Sequence, residues 1–222
     1  MNTESKQNRI VPVILEKKRF VLSPDPELLK RLRSLHEALK KAKKYNPEII
    51  SIGLFGSMTK GYATESSDID AVLFINETKL DQRRKDEHLD SDYGSVTHYK
   101  DNFIRQLQDA LQLTSIEQLK DFRVEYVSAD LLRKSARRFP STLTDLFLLS
   151  VSRDIEPYRK IVLDELESMG SEGEEIWRSI MQDLAEKENA GLNPEMIHQR
   201  ELLYPKSISA AKNYFLGGMI DI

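Results

Sequence analysis

At 222 residues and 25.6 kDa the chain has the size of one large domain or of a catalytic domain with a smaller appendage, which excludes a multidomain machine. Hydrophobic residues at 40% and charged residues at 31%, with a net charge of -3, exclude disordered and fibrous classes and argue against charge-driven binding to long nucleic acid, leaving a short or structured RNA open. With Cys 0 there is no disulfide, thiolate nucleophile or Cys-ligated metal, so any metal must be held by oxygen or imidazole.

In the first twenty residues the basic side chains lie on the wrong side of a short apolar stretch for a secretory signal. The longest apolar runs, such as Leu146 to Val151, fall far short of the roughly 20 residues that cross a bilayer. The expectation is a soluble, cytoplasmic protein without a membrane partner. Residues 1 to 50 carry twelve basic and six acidic side chains, and residues 151 to 200 carry six basic and twelve acidic ones. The two ends therefore attract each other or face different partners.

From about residue 26 to 45 Leu28, Leu32, Leu35, Leu39 and Ala42 recur at intervals of three and four, with Lys and Arg between them. That spacing predicts an amphipathic helix with Asp25 as N-cap, Pro26 at its first position and a solvated basic face. Asn46-Pro47 ends it, and Ile49 to Phe55 reads as a buried strand closed by Gly56-Ser57. Ser67 to Ile75 reads as a second strand. The charged stretch from Asn76 to about Lys100 reads as partly helical and mobile, because it offers little to bury. Helical spacing returns at Phe103, Leu107, Ala110 and Leu111, before a third strand from Phe122 to Val127. After a further helix and the apolar run Leu146 to Val151, the pattern is helical to the end, around Tyr158 to Leu166, Ile176 to Leu184 and Ile208 to Leu216. The expected organisation is an α+β domain over 1–165, a mixed sheet flanked by helices, followed by a helical region over 166–222.

The chemistry concentrates in one stretch. A strand running into Gly56-Ser57 and a helix start offers free backbone N–H groups to an anion, and glycine allows a phosphate to come close. Ser57 adds a hydroxyl donor. Asp68 and Asp70 lie two apart on the second predicted strand and share a face, while Ile69, Ala71 and Leu73 point the other way. Two ionised carboxylates beside an apolar strand are costly unless a cation compensates them. Mg²⁺ suits such a site, since it takes one or two carboxylates and completes its coordination with water and substrate phosphate.

Gly56-Ser57, ten intervening residues and Asp68-x-Asp70, with Gly61 inside and Ser67 before the first Asp, resemble the signature of the DNA polymerase beta superfamily of nucleotidyltransferases. The likeness is greatest to its small prokaryotic members, the minimal nucleotidyltransferases and antibiotic adenylyltransferases. It directly covers about one tenth of the chain, and the order of predicted elements extends it to around residue 165. The resemblance implies transfer of a nucleoside monophosphate, AMP in the first instance, from an NTP to a hydroxyl acceptor with release of pyrophosphate. It implies that Gly56 and Ser57 hold the β- and γ-phosphates, with Gly61 and Ser67 in the same nucleotide site. It further implies that Asp68 and Asp70 bind Mg²⁺, or Mn²⁺ as an alternative, in a two-metal arrangement.

The family also uses a third carboxylate from a neighbouring strand. Alternation in Asp121 to Val127 selects Glu125 for that role, with Asp121 and Asp130 in reserve. Lys60 follows Ser57 closely enough to reach a phosphate, an exposed lysine being the plainer reading. Arg83, Arg84 and Lys85 either close over nucleotide or form a solvated charge run. His36, His88, His98 and His198 lack metal-ligand spacing. Trp177 reads as core or interface. The acceptor is expected to be a small molecule or a protein, with a toxin-like activity on tRNA or a catalytically silent nucleotide-binding module as the alternatives. The helical C-terminal region is a candidate homodimer surface.

Overall fold

A computed structural model describes residues 26–60, 67–111 and 121–216. Its centre is a four-stranded mixed sheet of order β3-β2-β1-β4, formed by β1 (Ile49–Phe55), β2 (Asp70–Asn76), β3 (Phe122–Val127) and the two-residue β4 (Leu149–Ser150). β1 is antiparallel to β2 and to β4, and β2 is parallel to β3. The α+β class expected from the sequence is the class found.

Alternation along β2 divides the core. Ala71, Leu73 and Ile75 face a layer made by α1 (Pro26–Tyr45) and α4 (Val96–Leu111), where Leu32, Leu35, Leu39, Tyr99 and Phe103 are buried. Val72 and Phe74 face the opposite layer. It comprises α5 (Ala129–Arg138), a 3-10 segment (Pro140–Phe147), α6 (Glu156–Ser168), α7 (Ser171–Asn189) and α9 (Ile208–Phe215). Trp177 lies fully buried there, edge-on to Phe147 and Phe215, and its indole N–H donates to the Pro205 carbonyl at 2.8 Å. Each such side chain withdrawn from water contributes about 1.5–3 kcal/mol before ordering costs. The boundary expected at 165 falls inside α6, and the apolar side chains before and after it belong to one cluster.

Two expected elements differ in form. β2 begins at Asp70, because its antiparallel partner ends at Phe55, directly opposite, and nothing continues the ladder to Asp68. The run Leu146 to Val151 finishes the 3-10 segment and leaves only the β4 pair on the sheet. The charged stretch after Asn76 forms α3 (Glu77–Asp86) and the start of α4, and it buries Leu80 and Tyr99. A short helix, α8 (Pro194–Arg200), precedes α9 and was not foreseen. No described helix is long and apolar enough to cross a membrane.

Candidate active site

The site forms where β1 ends and β2 begins. Phe55 pairs with Asp70, and the next residue, Gly56, has φ +68. A Cβ at Gly56 would stand 1.7 Å from Asp70 Oδ2, so the carboxylate fills the space that any larger residue would claim. Ser57 then opens the four-residue helix α2 (Ser57–Lys60). On the other side of β2, Ala71 pairs with Phe122, which places Asp121 alongside Asp70 at the start of β3. Asp68 is exposed, while the intervening Ile69 is fully buried and anchors the segment. Arg31 of α1 donates to the Ser67 carbonyl at 2.9 Å and fixes the chain just ahead of Asp68. Burial raises the Asp70 pKa above the ordinary carboxylate range, Asp121 and then Asp68 raise it further, and Lys60 opposes them. Among the described residues, negative charge is therefore concentrated beside the Gly56-Ser57 turn, with Lys60 opposing it.

Residues 37–128 match the family described as polymerase beta, nucleotidyltransferase. This segment is a nucleotidyltransferase domain of the polymerase beta superfamily. It spans β1, α2, β2 and β3, and with them Gly56, Ser57, Asp68, Asp70 and Asp121. No curated protein and no solved structure matches the chain. The nucleotidyltransferase domain also accounts for the topology, because its two parallel strands deliver carboxylates to one end of the sheet.

Within the domain the register sets the expected third carboxylate apart from Asp70. Glu125 pairs with Phe74, four positions beyond Asp70, or about 13 Å along the strand. It sits on the floor of a separate cleft and is hydrogen-bonded to Asp145, which the 3-10 segment supplies. Burial first, and Asp145 second, push Glu125 up to about 8, against the opposing charges of Arg123 and Lys187. Asp145 is paired with Arg123 at 3.0 Å and with Lys187 of α7. Alternation placed Glu125 on the correct face. Which carboxylate lies level with Asp70 depends on inter-strand register, and that selects Asp121. The other reserve, Asp130, is exposed on α5 and paired with Arg133.

Lys60, expected either to reach a phosphate or to stand exposed, is buried at 8% exposure, and its ammonium donates to the Ala190 carbonyl at 2.5 Å. Arg83 and Arg84 do not close over the site. Arg83 donates to Glu48 at 3.1 Å at the far end of β1, and Arg84 donates to the Tyr93 carbonyl at 2.6 Å, while Lys85 is exposed. Gly61 lies outside the described residues. The histidines do not converge: His36 contacts the Val151 carbonyl, His98 packs against Tyr93, His88 is exposed and His198 pairs with Glu201. Two side chains carried no sequence signal, since each comes from a distant element: Arg200, which reaches Thr59 beside the turn, and Asp145, which meets Glu125 in the neighbouring cleft.

Among the described residues no group of three or more His, Asp or Glu side chains stands close enough to enclose an ion alone. A raised carboxylate flanked by two others, beside an open glycine turn, instead suits a hard cation that completes its coordination with water and phosphate oxygens.

Proposed function

We propose that the chain transfers AMP from ATP to the hydroxyl of a small-molecule acceptor. The acceptor oxygen loses its proton and bonds to the α-phosphorus as the bond to pyrophosphate breaks. The observation that carries this reading is the Asp70 carboxylate lying against Gly56, which puts the cation-seeking group and the phosphate-suited turn in contact. Gly56 and Ser57 present backbone N–H groups, and Ser57 its hydroxyl, to the β- and γ-phosphates. Asp68 and Asp70, with Asp121 taking the place first expected for Glu125, hold the divalent cation. When bound, Mg²⁺ stabilises charge on the leaving oxygens and eases loss of the acceptor proton.

The choice of acceptor is supported by an open-sided cleft of about 820 Å³ on the same face of the sheet, walled by β3, α5, the 3-10 segment and α7. Pockets of a few hundred to about 1,000 Å³ commonly hold small ligands. Incubation with α-labelled ATP, Mg²⁺ and a small-molecule extract should transfer label to an acceptor. The paired variant Asp68→Ala with Asp70→Ala should transfer none, and label persisting in it sinks the site. Asp121→Asn should lower turnover on the order of 10²-fold.

A further inference from the structure

The phosphate turn is not held by the sheet alone. α2 has only four residues, too few to be stable by themselves, and its terminal carbonyls have no partner within the helix. Arg200, at the C-terminal end of α8 and 3% exposed, donates from Nη1 to the Thr59 carbonyl at 3.1 Å. Its Nη2 lies 3.7 Å from Glu188 Oε2, and the same carboxylate oxygen accepts from the Tyr204 hydroxyl at 2.9 Å. From the other direction Lys60 donates to the Ala190 carbonyl just beyond α7. Two consecutive residues of α2 are thus gripped by one C-terminal segment, from outside the stretch that matches the nucleotidyltransferase family.

We propose that Arg200 is a positioning residue for the triphosphate: by holding Thr59 it fixes α2, and with it the Gly56-Ser57 turn, at the spacing from Asp70 that a bound triphosphate requires. The inference rests on the reading of Gly56 and Ser57 as the phosphate site. Gly56 already touches the Asp70 carboxylate, so a small displacement of α2 either closes the gap between turn and carboxylate or opens it. A guanidinium is suited to this task because its planar fork can meet a carbonyl and a carboxylate together, whereas an ammonium is a point charge. The C-terminal helices thereby set NTP affinity without touching nucleotide.

The test is binding of ATP and of AMP in the presence of Mg²⁺, by calorimetry on the full chain. Removing Arg200 alone would leave the buried Glu188 carboxylate without its guanidinium, the Tyr204 hydroxyl still donating to it, so the variant joins Arg200→Gln to Glu188→Gln. The expected result is an ATP Kd raised about tenfold, the worth of a charge-assisted hydrogen bond, with the AMP Kd almost unchanged because AMP lacks the β- and γ-phosphates. Glu188→Gln alone keeps the bond to Thr59 and should leave ATP affinity near that of the starting protein. Equal ATP affinity in the double variant overturns the proposal, and so does a parallel loss for ATP and AMP, which would mark a general loosening. Should the double variant fail to fold, Arg200→Met joined to Glu188→Met decides: it removes the donor to Thr59 while replacing the buried charged pair by apolar side chains of similar length, so undiminished ATP affinity overturns the proposal as well. Failure of the unmutated protein to bind ATP would instead defeat the phosphate-site reading on which the inference stands.

Discussion

The two ends of β1 handle buried negative charge in opposite ways. At the start, Glu48 is completely buried and accepts from the Tyr93 and Tyr99 hydroxyls, each at 2.9 Å, and from Arg83 at 3.1 Å. At the finish, Asp70 faces Asp121 and Asp68, with Lys60 opposing them. Glu48 is surrounded by donors and ties β1 to α3 and α4. Asp70 stands beside two like charges, an arrangement that costs stability and that the proposed cation would offset. A buried acid with a full set of donors is a structural tie; a half-buried acid among acids is where the proposed cation would bind.

Three experiments sharpen or break that contrast, and the first has the largest effect. Asp70→Asn should reduce transfer on the order of 10³-fold while raising the thermal midpoint measured in EDTA, because it removes the charge conflict. The sign follows from the raised pKa: the folded state holds the Asp70 proton more tightly than the unfolded chain, so its ionisation costs stability as pH rises through and above the ordinary carboxylate range. A lower midpoint in EDTA would show that Asp70 is a structural tie after all.

Next in size, Glu48→Ala should cost about 3 kcal/mol in urea unfolding, since it removes the acceptor of the buried Tyr99 hydroxyl and one acceptor each of Tyr93 and Arg83, which keep Asn46 and Glu87. Turnover per folded molecule should be preserved, and a loss of turnover beyond the unfolded fraction would contradict the separation of the two ends. The smallest effect is expected at Glu125. Its pKa, raised from 4.5 to about 8, means that its proton is retained on folding, so its contribution to stability falls as pH climbs through that interval. Glu125→Gln should flatten this decline and change turnover at saturating acceptor by no more than about twofold, its effect falling on the acceptor KM because Glu125 lines the cleft proposed for the acceptor. A pH profile of stability for both proteins checks the first, and a large loss of turnover at saturating acceptor would return Glu125 to the catalytic set.

Much of the frame was legible. Ile49 to Phe55 and Phe122 to Val127 are strands as read, because short apolar or alternating runs bounded by turn residues leave few other options. Trp177 is core, as its helical spacing among Leu and Ile suggested. Gly56 was legible for a local reason, since a turn after a strand needs a residue without a side chain. The charged stretch after Asn76 misled, because the partners of its arginines, Glu48 and the Tyr93 carbonyl, become visible only once α3 and α4 fold against β1.

The amino-acid order alone determined the strand-glycine-serine turn and the Asp-x-Asp pair, since both are set by alternation and backbone freedom within a few residues. Only the tertiary structure decided that Asp121 stands beside Asp70, that Glu125 meets Asp145, and that Arg200 reaches Thr59. Those pairings depend on strand register and on how distant helices pack, which are long-range balances of burial and charge that no local pattern encodes.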